Sequence, residues 1–262
     1  MPIAYSVLPD RFEDERHASL ERGLVAAGYT VTRSRPRASG AGDVLITWTR
    51  HVGREDECAR WEAGGGRVIV AEEPHLKGRF PPGNERLYSL SLGDHQTAWR
   101  AGGPERWAGF GLTVAPWRPD PGPGGHIVVR DQRGIGSARM GSPRGWGEAT
   151  AERLRRTSVR PVIFRPHPKR APANAPPIAV VLRGAWCFVT WASHEGVEAL
   201  LAGVPVVWCA PAGFVRAACG TRLEDVTDPP RPDRLPVLRA FGWTQWRVGE
   251  IESGEAFRWM LA

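Results

Sequence analysis

From Trp191 to Val207 the chain reads Trp-Ala-Ser-His-Glu-Gly-Val-Glu-Ala-Leu-Leu-Ala-Gly-Val-Pro-Val-Val. The apolar residues on either side predict two buried strands. Between them the spacing predicts a short helix stopped by Gly203, and Pro205 opens the second strand. Ser193 is placed to cap the helix, so the free N–H groups of the first turn, at and beyond His194, would face an anion such as a phosphate. One turn further on, the Glu198 carboxylate is placed to accept hydrogen bonds from two vicinal hydroxyls. The same residues also fit a plainer arrangement, in which Ser193 only caps, Glu198 is a solvated helix residue and Gly203-Val204-Pro205 is an ordinary helix-to-strand turn.

Two further loops each follow a predicted strand. In Phe164-Arg165-Pro166-His167-Pro168-Lys169 both prolines stiffen a loop that presents Arg165, His167 and Lys169 at the strand's carboxyl end. In Arg130-Asp131-Gln132-Arg133-Gly134-Ile135-Gly136-Ser137, Gly134 and Gly136 permit close backbone approach, while Gln132, Arg133 and Ser137 offer donors to a pyrophosphate. Arg139 stands where the third glycine of Gly-x-Gly-x-x-Gly would fall, so the dinucleotide pattern is incomplete. Taken alone, the first loop is equally a basic turn and the second a plain one. Together with the turn at Ser193 they make three phosphate-facing loops on one domain.

A carboxylate, four residues, Gly-x-Pro and a strand, as in Glu198 to Val207, resembles the nucleotide-sugar site of the GT-B glycosyltransferases. The Arg-Pro-His-Pro at residues 165–168 is similar to a run found in some sugar and glycerophosphate transferases of the same architecture. The resemblance covers roughly residues 125–215 well, and the first half only as an alternation of elements. It implies that the amino end of the helix after Trp191 holds the donor diphosphate and that Glu198 holds the ribose. The second domain would grip the donor, with a UDP-sugar as co-substrate and no further cofactor, and the first would supply the acceptor site and a general base. No Asp-x-Asp triplet occurs in the chain, which the metal-dependent GT-A class usually needs. No metal is therefore expected, and helix dipole and arginines would stabilise the leaving diphosphate.

A base needs a carboxylate or imidazole within hydrogen-bond reach of the acceptor hydroxyl. First-half candidates are Asp94 and His95 in Gly93-Asp94-His95-Gln96, then Glu72, with Glu73, His75 and His51 behind them. Any one of these, taken singly, also suits an ordinary surface position.

The elements that would position these residues read as strands at 3–8, 29–33, 43–48 and 67–71, separated by helices at 13–27 and 55–63. Crossovers of that length imply parallel strands. Residues 100–125, rich in Gly, Pro and Trp, lack the backbone donors for regular structure and read as a linker. The alternation restarts with strands at 126–130, 161–165, 187–191 and 205–209, helices at 147–157 and 194–202, and a short buried segment at 178–182. A Trp-marked amphipathic stretch at 238–261 would cross back onto the first domain. The expected fold is α/β, with two Rossmann-like doubly wound domains facing each other across a cleft: residues 1–120 for the acceptor, 121–236 for the donor and 237–262 as a returning helix. In such sheets ligands bind at the carboxyl ends of the strands.

The 262 residues carry a net charge of +7, with 35 basic residues of which two are lysine. The excess is local: residues 121–183 hold 12 Arg/Lys against 3 Asp/Glu, while residues 1–120 hold 16 of each. A donor diphosphate needs two or three of these cations. The surplus at Arg139, Arg144, Arg153, Arg156, Lys169 and Arg170 suggests a polyanion, with double-stranded DNA the obvious one. Small GT-B enzymes of bacteriophages, which glycosylate hydroxymethylated DNA bases, are similar in size and basicity. The leading expectation is transfer to 5-hydroxymethylcytosine flipped from phage DNA. The alternatives are transfer to a cell-envelope or capsular glycan and, third, a non-enzymatic nucleic-acid-binding protein. Four cysteines without CxxC spacing, and no signal-like start or membrane span, point to a reduced monomeric protein of the cytoplasm, the host's if phage-encoded.

Overall fold

The computed structural model describes residues 1–9, 15–76, 87–97 and 101–262. In chain order the elements are β1 (Ile3–Ser6), α1 (Glu15–Ala26), β2 (Thr30–Thr32), β3 (Val44–Trp48), α2 (Val52–Ala63), β4 (Arg67–Glu72) and β5 (Leu87–Leu92). Then come α3 (Glu105–Ala108), β6 (His126–Arg130), α4 (Trp146–Thr157), β7 (Val162–Arg165), α5 (Ile178–Val181), β8 (Ala185–Thr190), α6 (His194–Leu201) and β9 (Val206–Trp208). The chain closes with α7 (Leu235–Gly242), β10 (Gln245–Arg247), α8 (Val248–Glu252) and α9 (Glu255–Leu261). The first two residues of the helix predicted at 13–27 lie outside the described residues.

The chain divides into two units. The first comprises Met1–Gly102, Gly136–Arg139 and Gly242–Ala262, and the second Gly103–Ile135 and Met140–Phe241. The division falls at residue 102, where the sequence places it at 120, because the Pro-rich stretch packs against the end of α6 in the second unit. Ala115 and Arg118 donate backbone hydrogen bonds to Leu201 O and Gly203 O, and Arg234 covers the Trp117 ring at 3.8 Å.

In the first unit the sheet order is β10-β5-β4-β3-β1-β2, with β1 to β4 parallel and β5 antiparallel to both β4 and β10. Period-two alternation sorts its side chains. Ala4, Val44, Ile46, Ile69 and Ala71 pack with Leu20 and Leu24 of α1 and with Ile251 and Phe257 of the tail. Tyr5, Leu45, Val68 and Val70 pack on the other face with Cys58 and Trp61 of α2. Going from β1 to β2 and from β3 to β4 the chain moves in opposite directions across the sheet, and right-handed crossovers then put α1 and α2 on opposite faces.

Two strands here were not foreseen. β5 is Leu-Tyr-Ser-Leu-Ser-Leu, whose serines read as polar but are fully buried, Ser89 accepting from Gln245 Nε2 at 3.0 Å. The tail predicted as one helix is broken by β10, which inserts Trp246 into the core beside β5.

The second unit is a four-stranded parallel sheet of order β7-β6-β8-β9. It repeats the inner topology of the first, with α4 and α6 on opposite faces by the same crossover argument. Ile127, Val129, Cys187 and Val189 pack against Ala151 and Leu154 of α4. Gly203, at φ +77°, turns α6 into β9, and a Cβ there would lie 2.0 Å from Pro116 O. Each unit is thus doubly wound α/β. Among the described residues no helix is long and apolar enough to cross a membrane.

Candidate active site

The chain reverses direction across the second sheet between β6 and β8, so their carboxyl ends form a switch point, where open α/β sheets take ligands. Three loops leave that edge. Ser193 caps α6 as its sequence position demands, its hydroxyl accepting from Glu195 N at 3.2 Å. Gln132 Oε1 accepts from Ala192 N at 2.6 Å, which ties the loop after β6 to the turn before α6. Trp191 donates its indole N–H to Met140 O at 2.8 Å and meets Trp146 edge-on at 5.6 Å.

The arginines ending β6 and β7 share one carboxylate. Arg165 is bidentate on Glu195, Nε to Oε2 at 2.9 Å and Nη2 to Oε1 at 3.1 Å, while Arg130 Nε lies 2.9 Å from Glu195 Oε2. Arg130 is buried and its guanidinium also donates to Pro166 O. Arg170 bonds Asp131, which is buried, and donates to Gln132 O at 3.1 Å, so the loops after β6 and β7 are locked to each other. His167 Nδ1 accepts from Lys169 N at 3.2 Å. Its pKa is lowered to about 4, by burial and then by Arg133, Arg130, Arg170 and Lys169. Burial is the largest cause of that shift, and the four cations around the ring add to it, which makes the neighbourhood one that suits an anion.

The sequence-derived donor residues are therefore distributed as follows. Gln132, Arg165, His167, Trp191, Ser193 and His194 lie on or beside this edge, with Arg133 and Gly134 in the exposed tip of the loop after β6. Gly134, at φ +71°, packs against Ser142 O, where a Cβ would come within 2.9 Å. Glu198 is half-buried one turn along α6. Gly136 and Ser137 instead join the first unit, where Ser137 Oγ donates to Asp94 Oδ2 at 2.8 Å. Arg139 follows them onto Asp94 at 3.2 Å.

In the first unit the three leading base candidates meet. His95 Nδ1 lies 2.8 Å from Glu72 Oε1, and His95 N donates to Asp94 Oδ1 at 2.7 Å. His95 Nε2 sits 2.7 Å from both the amide N and the carbonyl O of Arg50. Burial alone would favour the neutral ring, yet Glu72, the Arg50 carbonyl and Asp94 raise the His95 pKa above its ordinary value. The only non-glycine residues at positive φ among those described are Thr49 at 61° and Gln96 at 53°, next to the two partners of this contact. A β-branched residue in the left-handed region is strained, and such strain concentrates at working sites.

Arg50 carried no sequence signal. Its buried guanidinium is held by Glu55 at 2.7 Å, Glu62 at 2.9 Å and the Gly93 carbonyl. A cavity of about 400 Å³ opens here, lined by Arg50, Glu55, Glu62, Asp94, Thr97 and Ser137. Asp94 lines it, whereas the His95 ring is turned to Glu72 and the Arg50 backbone. Glu195 was also missed, although a carboxylate in a helix first turn beside two arginine-bearing strand ends is a readable signal.

Most of the cations expected to meet DNA have local partners. Besides Arg139 and Arg170, Arg153 pairs with Glu224 at 2.9 Å and Arg156 with Glu152 at 3.1 Å, while Arg144 and Lys169 are exposed.

No protein-family model matches the chain, and no curated protein matches it. Solved structures do. The chain is similar to the β-Kdo 2,7 transferase of Thermosulfurimonas dismutans KpsC, with 14% identity, 94% of this chain and 92% of that one covered, and a TM-score of 0.57. It is similar to the β-Kdo 2,4 transferase of the same KpsC over the same shares at 14% identity, with a TM-score of 0.52. At that identity the likeness speaks for the fold, and the fold is that of the GT-B glycosyltransferases.

Proposed function

We propose that this chain is a glycosyltransferase that moves a sugar from a nucleotide-sugar to a hydroxyl of a glycan. The observation that carries the reading is the edge of the second sheet, where Arg130, Arg165, His167 and the amino end of α6 converge at the switch point. In the proposed reaction the acceptor oxygen attacks the anomeric carbon, the bond from that carbon to the diphosphate breaks, and the acceptor proton passes to a base. Guanidiniums and the α6 dipole stabilise the departing phosphate oxygens. Asp94, the candidate that lines a cavity, is the proposed base, and His95 with Glu72 and Arg50 fixes its backbone. A UDP-sugar is the first donor to try, and action as a cytoplasmic monomer belongs to the same proposal.

Two observations favour a glycan over DNA as acceptor. Four of the six cations assigned to DNA are bound to carboxylates of the chain itself, so the outward charge is smaller than the sequence count suggests. The solved structures it resembles are named as Kdo transferases, and Kdo is a sugar acid whose carboxylate would engage surplus guanidiniums. Saturation-transfer NMR with UDP-sugars, pyrophosphate and a DNA duplex tests the reading. Donor signals quenched by pyrophosphate are expected, and tight salt-dependent duplex binding without donor binding would reject it.

A further inference from the structure

We infer that Ser137 and Arg139 are positioning residues of the base, brought to it by the loop that leaves β6 at the donor edge. The inference rests on the reading of Asp94 as the base. It gives both residues a role that their sequence positions, among phosphate donors and DNA-facing cations, do not suggest.

Asp131 and Gln132 stay at the edge of the second sheet, where Arg170 bonds Asp131 and Gln132 Oε1 accepts from Ala192 N at 2.6 Å. Ile135 and Met140 also belong to the second unit, whereas Gly136–Arg139 between them belong to the first. An excursion that short needs sharp bends. Gly134, at φ +71°, and Gly136, at φ +146°, supply them on the way out. On the way back Met140 is buried and its carbonyl accepts from the Trp191 indole at 2.8 Å. Gly134 lies against Ser142 O, which closes the stem of the loop beneath its tip.

The tip meets a single carboxylate. Ser137 is 3% exposed and its hydroxyl donates to Asp94 Oδ2 at 2.8 Å, while Arg139 Nη2 donates to the same oxygen at 3.2 Å. The other oxygen, Oδ1, accepts from His95 N at 2.7 Å. One oxygen of Asp94 is thus held by its own loop and the other by the loop after β6, so the plane of the carboxylate is fixed only when Ser137 is in place. Bonds to an ionised oxygen are roughly twice as strong as neutral ones. A hydroxyl has one proton to give, and that of Ser137 goes to Asp94 rather than to a phosphate.

Asp94, Ser137 and Arg139 line the same cavity of about 400 Å³, so the aim of the carboxylate matters where a ligand fits. A reacting group displaced by about 1 Å can cost roughly a hundredfold in rate. The stem of the loop faces the donor and its tip aims the base.

The test is steady-state transfer by the full chain from a UDP-sugar panel to an oligosaccharide mixture, together with calorimetric titration of inorganic pyrophosphate. The proteins are the wild type, Ser137→Ala, Arg139→Ala, Arg139→Lys and Asp94→Asn. Ser137→Ala should lower kcat about tenfold or more and leave both KM values and the pyrophosphate affinity within about twofold, because an effect exerted through the base appears only in the transition state. The Arg139 side chain is 64% exposed, so its variants should fold; Arg139→Ala should lower kcat about threefold or more, and Arg139→Lys should restore it. A kcat within about twofold of wild type in Ser137→Ala, with Asp94→Asn inactive, overturns the positioning role and leaves Asp94 as the base. Pyrophosphate affinity that falls about tenfold in Ser137→Ala overturns it too, and returns the serine to the donor. Turnover near wild type in Asp94→Asn, or a wild-type chain that transfers no sugar, overturns the reading of Asp94 and the inference with it.

Discussion

His95 and Glu72 form a buried pair, ring Nδ1 to carboxylate Oε1 at 2.8 Å, and the other ring nitrogen is spent on the backbone of Arg50. A protonated ring donates to both Glu72 and the Arg50 carbonyl. Folding therefore raises the His95 pKa above that of the unfolded chain, and the stabilisation is present in full below the unfolded value near 6.5. It is lost as pH rises through the higher folded value. Urea unfolding from pH 5.5 upward should show stability falling above pH 6.5, with a shallower fall in Glu72→Gln; equal slopes in both proteins would remove the pair from the explanation.

Asp94 accepts from His95 N, Ser137 Oγ and Arg139. Asp94→Ala leaves the buried Ser137 hydroxyl and His95 amide without their acceptor, at a cost of about 1 to 3 kcal/mol for each group. Asp94→Asn keeps an acceptor and should restore most of the stability but none of the turnover. Turnover surviving in Asp94→Asn would move the base elsewhere.

Glu195 neutralises the guanidiniums of Arg130 and Arg165. Glu195→Gln removes one charge a few ångströms from any anion held there, which at the effective dielectric of a partly exposed site is worth roughly 1 to 2 kcal/mol, or about tenfold. Pyrophosphate should bind about ten times more tightly, with some loss of stability from the broken ion pairs. Weaker binding would show instead that Glu195 is needed to aim the arginines.

Gly203 turns in the left-handed region against Pro116 O, so the glycine of Gly203-Val204-Pro205 is required by packing whatever the chemistry. Gly203→Ala should cost about 1 to 3 kcal/mol from overpacking and backbone strain. A melting temperature unchanged from wild type would show that the stretch around Pro116 yields freely.

What the chain revealed beforehand follows from where its signals are local. Apart from β5 and β10, the strands of both sheets and the helices α1, α2, α4 and α6 are readable because their apolar periods are undisturbed, and the cap at Ser193 and the turn at Gly203 because each is made by neighbours in sequence. β5 escaped because Ser89 and Ser91 are buried polar residues whose partners include Gln245, over 150 residues away in sequence. The break at β10 escaped because strand pairing with β5 overrides the helical period of the tail. Asp94, His95 and Glu72 stand out one by one, but the contacts of the His95 ring with Glu72 and with the Arg50 backbone join separate loops. Ser137 and Arg139 look like ligands in sequence, and only the fold commits them to Asp94. The count of basic residues was legible in full, yet the carboxylates that pair with Arg153, Arg156 and Arg170 were not.

The most direct measurement is product mass after incubation with a panel of nucleotide-sugars and two acceptors, a hydroxyl-bearing oligosaccharide mixture and duplex DNA carrying 5-hydroxymethylcytosine. The account predicts one sugar residue added to an oligosaccharide, with release of the nucleotide, and DNA nucleosides of unchanged mass after digestion. A hexose or pentose mass on the hydroxymethylcytosine nucleoside with untouched oligosaccharides, or no transfer to either acceptor from any donor, would contradict it.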